Sequence, residues 1–316
     1  MKYATPLTQT LSVVDAGETY SVTYYKSPTV ITGIVDEAYP NYLASTIFNV
    51  GDYTIIPELK RIYRCAAAAT SGIFPLSAAG KIAWVDYGPV NSYRMFSIDD
   101  GIGAATTGTN LYMEIPFNQV DTIGMIDTVF ISLHVEQIDN GTLAVLSDIV
   151  INGKDIGCLS FAEYFYAESA DVTRIIIDNL VWHPNSTLKL TFTGAIGISS
   201  FVVGNVRELG LTLYGTNLAL EDRSKIADNV ATDTRTVIRY GHVRVLSAKV
   251  LFNLDEFNLT AQKITRIIGK NILFIPTKND SFNEMSHIAY IEKLNLPVDN
   301  PKVIDTEITL VGVVKK

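Results

Sequence analysis

Residues 81–103 read KIAWVDYGPVNSYRMFSIDDGIG and gather the side chains best suited to chemistry in this chain. Asp99 and Asp100, beside Gly101 and Gly103, put two carboxylates on a glycine turn. A calcium loop would need oxygen ligands alternating along the chain, and D-D-G-I-G does not supply them. An acid–base pair needs carboxylates on facing elements at a defined separation, which adjacent residues do not provide. Turn chemistry accounts for Asp-Gly directly. The G-x-G-x-x-G spacing of a dinucleotide site is absent, as is a helix after it. Trp84 and Tyr87, with Tyr63 upstream, suit a different task. Aromatic faces stack on the apolar side of a pyranose, and Trp and Tyr also hydrogen-bond. These three are the candidates for a carbohydrate platform. The competing reading makes them the core of a unit of some fifty residues, and it is preferred because a small unit needs its aromatics inside.

The other reactive residues are scattered. The histidines, His134, His183, His242 and His287, show no H-x-x-x-H spacing. His134 and Glu136 share the polar side of one alternating run, which reads as a solvated strand face. No G-x-S-x-G elbow marks a nucleophile. Cys65 and Cys158 form neither a CxxC nor a Cys/His cluster, so neither a zinc site nor a disulfide framework is expected. No catalytic, cofactor-binding or metal-binding residue is nominated, and the chain is read as a non-enzyme. A polysaccharide depolymerase would require a pair of carboxylates in a cleft, and no such pair stands out. Ser160 and Glu163 fit a capping box. Around them Phe161, Tyr164, Phe165 and Tyr166 form an aromatic cluster suited to anchoring an interface.

The elements that must position these residues are mostly strands. Charged residues are 18% of the 316 positions, below the usual ~25%, and Val, Ile, Thr and Tyr suit a pleated surface. The formal net charge is −8 with Lys and Arg dispersed, which argues against a nucleic-acid groove. No apolar run approaches the ~18 residues of a membrane span. The start, MKYATPLTQTLSVVDAG, lacks a signal-peptide core.

Residues 1–38 read as an N-terminal arm or β segment. Residues 39–88 read as a small β unit, with TIIPEL and RIYRC as strands, a loop over 66–80 and Trp84 closing it. Residues 89–217 read as a jelly-roll-type β-sandwich. In VFISLHVEQ, Val129, Ile131, Leu133 and Val135 alternate with Phe130, Ser132, His134 and Glu136, and in TLKLTFT, Leu188, Leu190 and Phe192 alternate with Thr187, Lys189, Thr191 and Thr193. Period two with one apolar face marks an antiparallel strand over a core. DNG at 139–141 and NGKDIG at 152–157 supply turns. Residues 218–234 are polar and read as a linker. Residues 235–316 read as an α+β domain of β-α-β-β-β order. Its helix carries Phe257, Ala261, Ile264 and Ile268 as one stripe, and Gly269 stands at the left-handed position past its end. The fold class expected is therefore mainly β: a small β module, a sandwich and a C-terminal α+β domain.

The order of segments resembles that of tail proteins of tailed bacteriophages. Those proteins carry a "Y-x-x-G-D" segment, a strand with Tyr, a loop with Pro, a Trp, and then "x-G-x-x-N-x-x-x-M-F-D" opening a jelly-roll-like domain. Here the matching residues are Gly51-Asp52-Tyr53, Ile62-Tyr63-Arg64, Pro75, Trp84 and Gly88 through Phe96, with Ser97 where the family has Asp. AEYFY at 162–166, VVGNVRELGLTLYGTN at 202–217 and LEDRSK at 220–225 continue the likeness, over roughly residues 40–316. Residues 40–88 also resemble a small chitin-binding-type carbohydrate module. The resemblance implies a virion component made in the bacterial cytoplasm: a baseplate, tail-tip or collar adaptor. It would connect the tail core to fibres by protein–protein contact, as a symmetric homo-oligomer among other tail subunits. Its alternative is a host-recognition protein binding a surface glycan.

Overall fold

The computed structural model describes residues 1–68, 70–98, 105–155, 170–222, 225–229, 234–238, 242–253, 255, 257–277, 285–295 and 303–312. The fold is mainly β, with antiparallel sheets and little helix. The chain divides into two compact units. One holds Leu7–Ile175 and Asn179–Val203; the other holds Met1–Pro6, Ile176–Asp178 and Gly204–Lys316.

The larger unit begins with the hairpin Thr8–Asp15/Glu18–Tyr25, paired from Thr8↔Tyr25 to Asp15↔Glu18. Its two-residue turn has both φ values positive, Ala16 at 49° and Gly17 at 86°. That geometry matches the twist of the flanking strands. Leu11, Val13, Tyr20 and Val22 alternate onto one face of the hairpin and pack on the core of Phe48, Leu59, Tyr63, Phe74 and Trp84. The expected arm over 1–38 is thus no separate element. Residues 8–25 roof the small β unit, and Val30–Thr32 joins the next sheet by pairing with Tyr112–Pro116.

The small unit is a three-stranded sheet of Tyr53–Ile56, Arg61–Cys65 and Trp84–Pro89. Beyond it, one sheet runs in the order Val145–Asn152, Ser132–Asp139, Ser186–Thr193, Tyr112–Pro116, Val30–Thr32. A second sheet places Thr122–Val129 between Arg174–Ile177 and Ala195–Glu208, with Thr106–Thr109 on the last. Leu133 and Val135, Leu188, Leu190 and Phe192, and Met113 and Ile115 are all fully enclosed, as alternation requires. The run from Val129 departs from expectation. Phe130 is buried while Val129 and Ile131 are exposed. One strand ends at Val129 and the next begins at Ser132, so the period breaks between them.

In the second unit Lys2–Pro6 lies between Ile272–Ile275 and the end of Ala195–Glu208. His287–Asn295, Val303–Gly312 and His242–Asn253 continue the sheet. The helix Phe257–Ile267 covers it. Its buried residues are Thr260, Ile264 and Ile267, whereas Ile268 is exposed and Ala261 only half-buried. The stripe is therefore rotated from the one expected. Gly269 does adopt the left-handed cap, at φ 74°.

The described residues within the expected linker 218–234 are in strands. Asn217–Asp222 pairs with the start of His242–Asn253, and Lys225–Asn229 pairs with Thr234–Ile238.

Candidate functional site

The platform residues are sorted by the pleat of the three-stranded sheet. Successive side chains along a strand point to opposite faces. Tyr63 and Trp84 therefore enter the core beneath the 8–25 hairpin, 2% and 4% exposed. Trp84 donates its indole N–H to the Ile73 carbonyl at 3.0 Å and meets Phe48 edge-on at 5.0 Å. Among the described residues the Tyr63 hydroxyl has no hydrogen-bond partner, and burial pushes its ionisation well above the ordinary value of 10.0. Neither ring is open to a sugar. Tyr87, three residues on from Trp84, emerges on the other face and is 49% exposed. A shared platform of Tyr63, Trp84 and Tyr87 is not formed.

What the outer face builds is a different aromatic array. Tyr53 sits at the centre. Tyr39 stacks on it nearly parallel, centroids 4.8 Å apart at 15°, and Tyr87 meets it edge-on at 5.0 Å. Arg64, the cross-strand partner of Tyr53, holds its guanidinium 5.9 Å from the ring centroid, within cation–π range. Ile55, Ile62 and Val90 form the apolar floor. Val85 on the same strand as Tyr87, and Ile82 just before it, are also exposed. The array offers aromatic faces, phenolic hydroxyls and one fixed cation on a flat surface. Sequence reading missed Tyr39, Tyr53 and Arg64. The pairing of YTII with RIYRC was the available signal, since it sets Tyr53 opposite Arg64.

The segment that follows Tyr87 is a joint. Asn91 is buried and donates through Nδ2 to the carbonyls of Val35 at 3.0 Å and Thr107 at 2.8 Å, while Thr107 N–H donates to its Oδ1 at 3.0 Å. Asp36 accepts from the Ser92 N–H and hydroxyl, Glu37 accepts from the Asn91 N–H, and Arg94 pairs with Glu37. Thr106 bridges the Met95 N–H and the Asn91 carbonyl. Met95 and Phe96 are fully enclosed, Phe96 meeting Phe201 edge-on at 5.6 Å. One strand earlier, Arg61 binds Asp86 through both its Nε, at 3.1 Å, and its terminal nitrogen, at 2.9 Å. The residues of the G-P-x-N-x-x-x-M-F segment are spent on holding the small sheet to the sandwich-like sheets.

Elsewhere, His134 pairs with Asp148 at 2.7 Å and lies 4.0 Å from Glu136 on a half-exposed strand face. The His242 side chain lies outside the described residues. Cys65 is buried, its thiol directed at the Ala67 carbonyl. Among the described residues no group of three His, Cys, Asp or Glu is placed to hold a metal, and no helix is long and apolar enough to cross a membrane. Asp99, Asp100, Gly101 and Gly103 lie outside the described residues, as do Cys158, Ser160, Glu163 and the cluster Phe161, Tyr164, Phe165 and Tyr166.

No family model, no curated protein and no solved structure matches the chain.

Proposed function

We propose that this chain is a structural subunit of a bacteriophage tail, an adaptor that works by protein–protein contact. The order of its segments supports the tail assignment. The hairpin of Lys225–Asn229 and Thr234–Ile238 carries the assembly role. Its two strands pair with each other and with no other strand among the described residues, so on the reading proposed their outer edges take an added strand. Open strand edges template pairing with another chain, and an added strand gains main-chain hydrogen bonds whatever its side chains. The clasp around Asn91 suits the same role, because an adaptor must transmit force without its parts separating. A variant with residues 225–238 replaced by a short glycine-containing turn is expected to fold and to be missing from purified particles. Its incorporation at the wild-type level would remove the hairpin from the account.

A second reading, recognition of a host glycan, is favoured by the Tyr39–Tyr53–Tyr87 array with Arg64. Tyr87→Ala changes an exposed residue, so loss of cell-surface binding at unchanged stability would support it. Unchanged binding would leave these tyrosines as surface structure.

A further inference from the structure

Loop 179–185, NLVWHPN, carries the second tryptophan of the chain, and its surroundings are unlike those of the first. Trp182 is 60% exposed at the crest of the loop, although a tryptophan is among the residues with most to gain from burial. The loop beneath it is tied down from four directions. Gln137 is fully enclosed and clasps Val181, accepting its N–H at 3.0 Å and donating to its carbonyl at 2.6 Å. Leu180 is buried and donates to the Asp121 carbonyl at 3.2 Å. The Gln119 N–H donates to the His183 carbonyl at 2.8 Å. From the neighbouring 139–144 turn, Asn140 donates its N–H to the Asn185 carbonyl at 3.1 Å and its Nδ2 to Asn185 Oδ1 at 2.9 Å. An exposed aromatic on a loop already held in one conformation has its ordering entropy settled before any ligand arrives.

His183 and Asn185 share the loop with Trp182. His183 Nδ1 accepts from the Asn185 N–H at 3.2 Å, which leaves Nε2 as the ring's donor. Asn185 commits Oδ1 to Asn140, and its Nδ2 is the donor that the side chain can offer a ligand. From 179 to 185 there is no Lys, Arg, Asp or Glu, so apart from His183 the loop carries no ionisable side chain. An exposed indole on a loop that also carries two hydrogen-bond donors fits a pyranose, with one apolar face for stacking and hydroxyls at its rim. We propose that loop 179–185 is a carbohydrate-binding site, with Trp182 as the stacking platform and His183 and Asn185 as hydroxyl-directed donors. It is independent of the tyrosine array on residues 39–87.

The test is a glycan array probed with the labelled full chain, followed by fluorescence titration of each glycan bound. Trp84 and Trp182 are the only tryptophans. Enclosed Trp84 reports that the fold is intact, and Trp182 reports the site. Binding of at least one neutral glycan is expected, with a change in Trp182 emission. Trp182→Ala should weaken it by about tenfold or more, the scale of truncating a central aromatic anchor. His183→Ala and Asn185→Ala should each weaken it by roughly three- to tenfold, and Trp182→Phe should retain part of the affinity. Three results would overturn the proposal. One is an array on which the wild-type chain binds nothing. Another is glycan binding that Tyr87→Ala removes and Trp182→Ala leaves intact, which would assign it to the tyrosine array. The last is loss of self-association in sedimentation by Trp182→Ala with glycan binding unchanged, which would make the loop a protein contact.

Discussion

Tyr63 shows how much a single group's surroundings decide. Its buried hydroxyl has no partner among the described residues, so its desolvation is uncompensated by them. Tyr63→Phe is therefore expected to leave stability unchanged or raise it by about 1 kcal/mol, as read by urea unfolding; a loss of comparable size would show that the hydroxyl has a partner. The same burial gives a pH dependence. The folded chain keeps this phenol neutral where an unfolded one ionises near pH 10.0. That contribution is complete below pH 10.0 and is lost as pH rises beyond it, so Tyr63→Phe should blunt the alkaline loss of stability. Tyr112, hydrogen-bonded to Glu114 and partly desolvated, is pushed up to about 12 and should titrate late in an absorbance measurement. Asn91 is the opposite case. Asn91→Ala strands two carbonyls and an N–H of Val35 and Thr107 and is expected to cost about 2–3 kcal/mol. A cost under ~0.5 kcal/mol would mean that the clasp does not hold the joint.

At the scale of elements, alternation was legible where a strand ran uninterrupted. Leu188, Leu190 and Phe192 all point inward, as TLKLTFT suggested. Alternation misled at Val129 and Ile131 because a strand ends between the two runs, and single-sequence periodicity does not show where a ladder stops. The helix was legible, and its buried face was not. Thr260 takes the core position that Ala261 was expected to share, because the sheet beneath, not the helix, decides which stripe is covered. Gly269 was legible down to its conformation, since φ 74° is what a helix end of this kind demands. No atom lies near the position a Cβ would take there, so Gly269→Ala should cost only the strain of the left-handed backbone, about 1–2 kcal/mol. Thermal unfolding would show it, and an unchanged midpoint would contradict the cap.

At the scale of the whole molecule, the mainly β class followed from composition and turn residues, while the division of the chain did not. Lys2–Pro6 pairs with Gly204–Glu208 and Leu273–Ile275, far along the chain, and nothing local in KYATP points to such partners. The preferred reading of the aromatics as the core of the small unit holds for Tyr63 and Trp84 and not for Tyr87, because the odd offset from Trp84 to Tyr87 turns the latter to the other face of the strand. The exposure of Trp182 was invisible beforehand, because it depends on Gln137 and Asn140 pinning the loop. The joint around Asn91 and the hairpin of Lys225–Asn229 and Thr234–Ile238 are the features on which the proposed adaptor role rests. The most direct measurement is immunogold electron microscopy of purified phage particles with an antibody raised against the chain. Label fixed at one level of the tail is the predicted result. Particles that bind no label, either intact or after mild denaturation has opened the tail, would contradict the account.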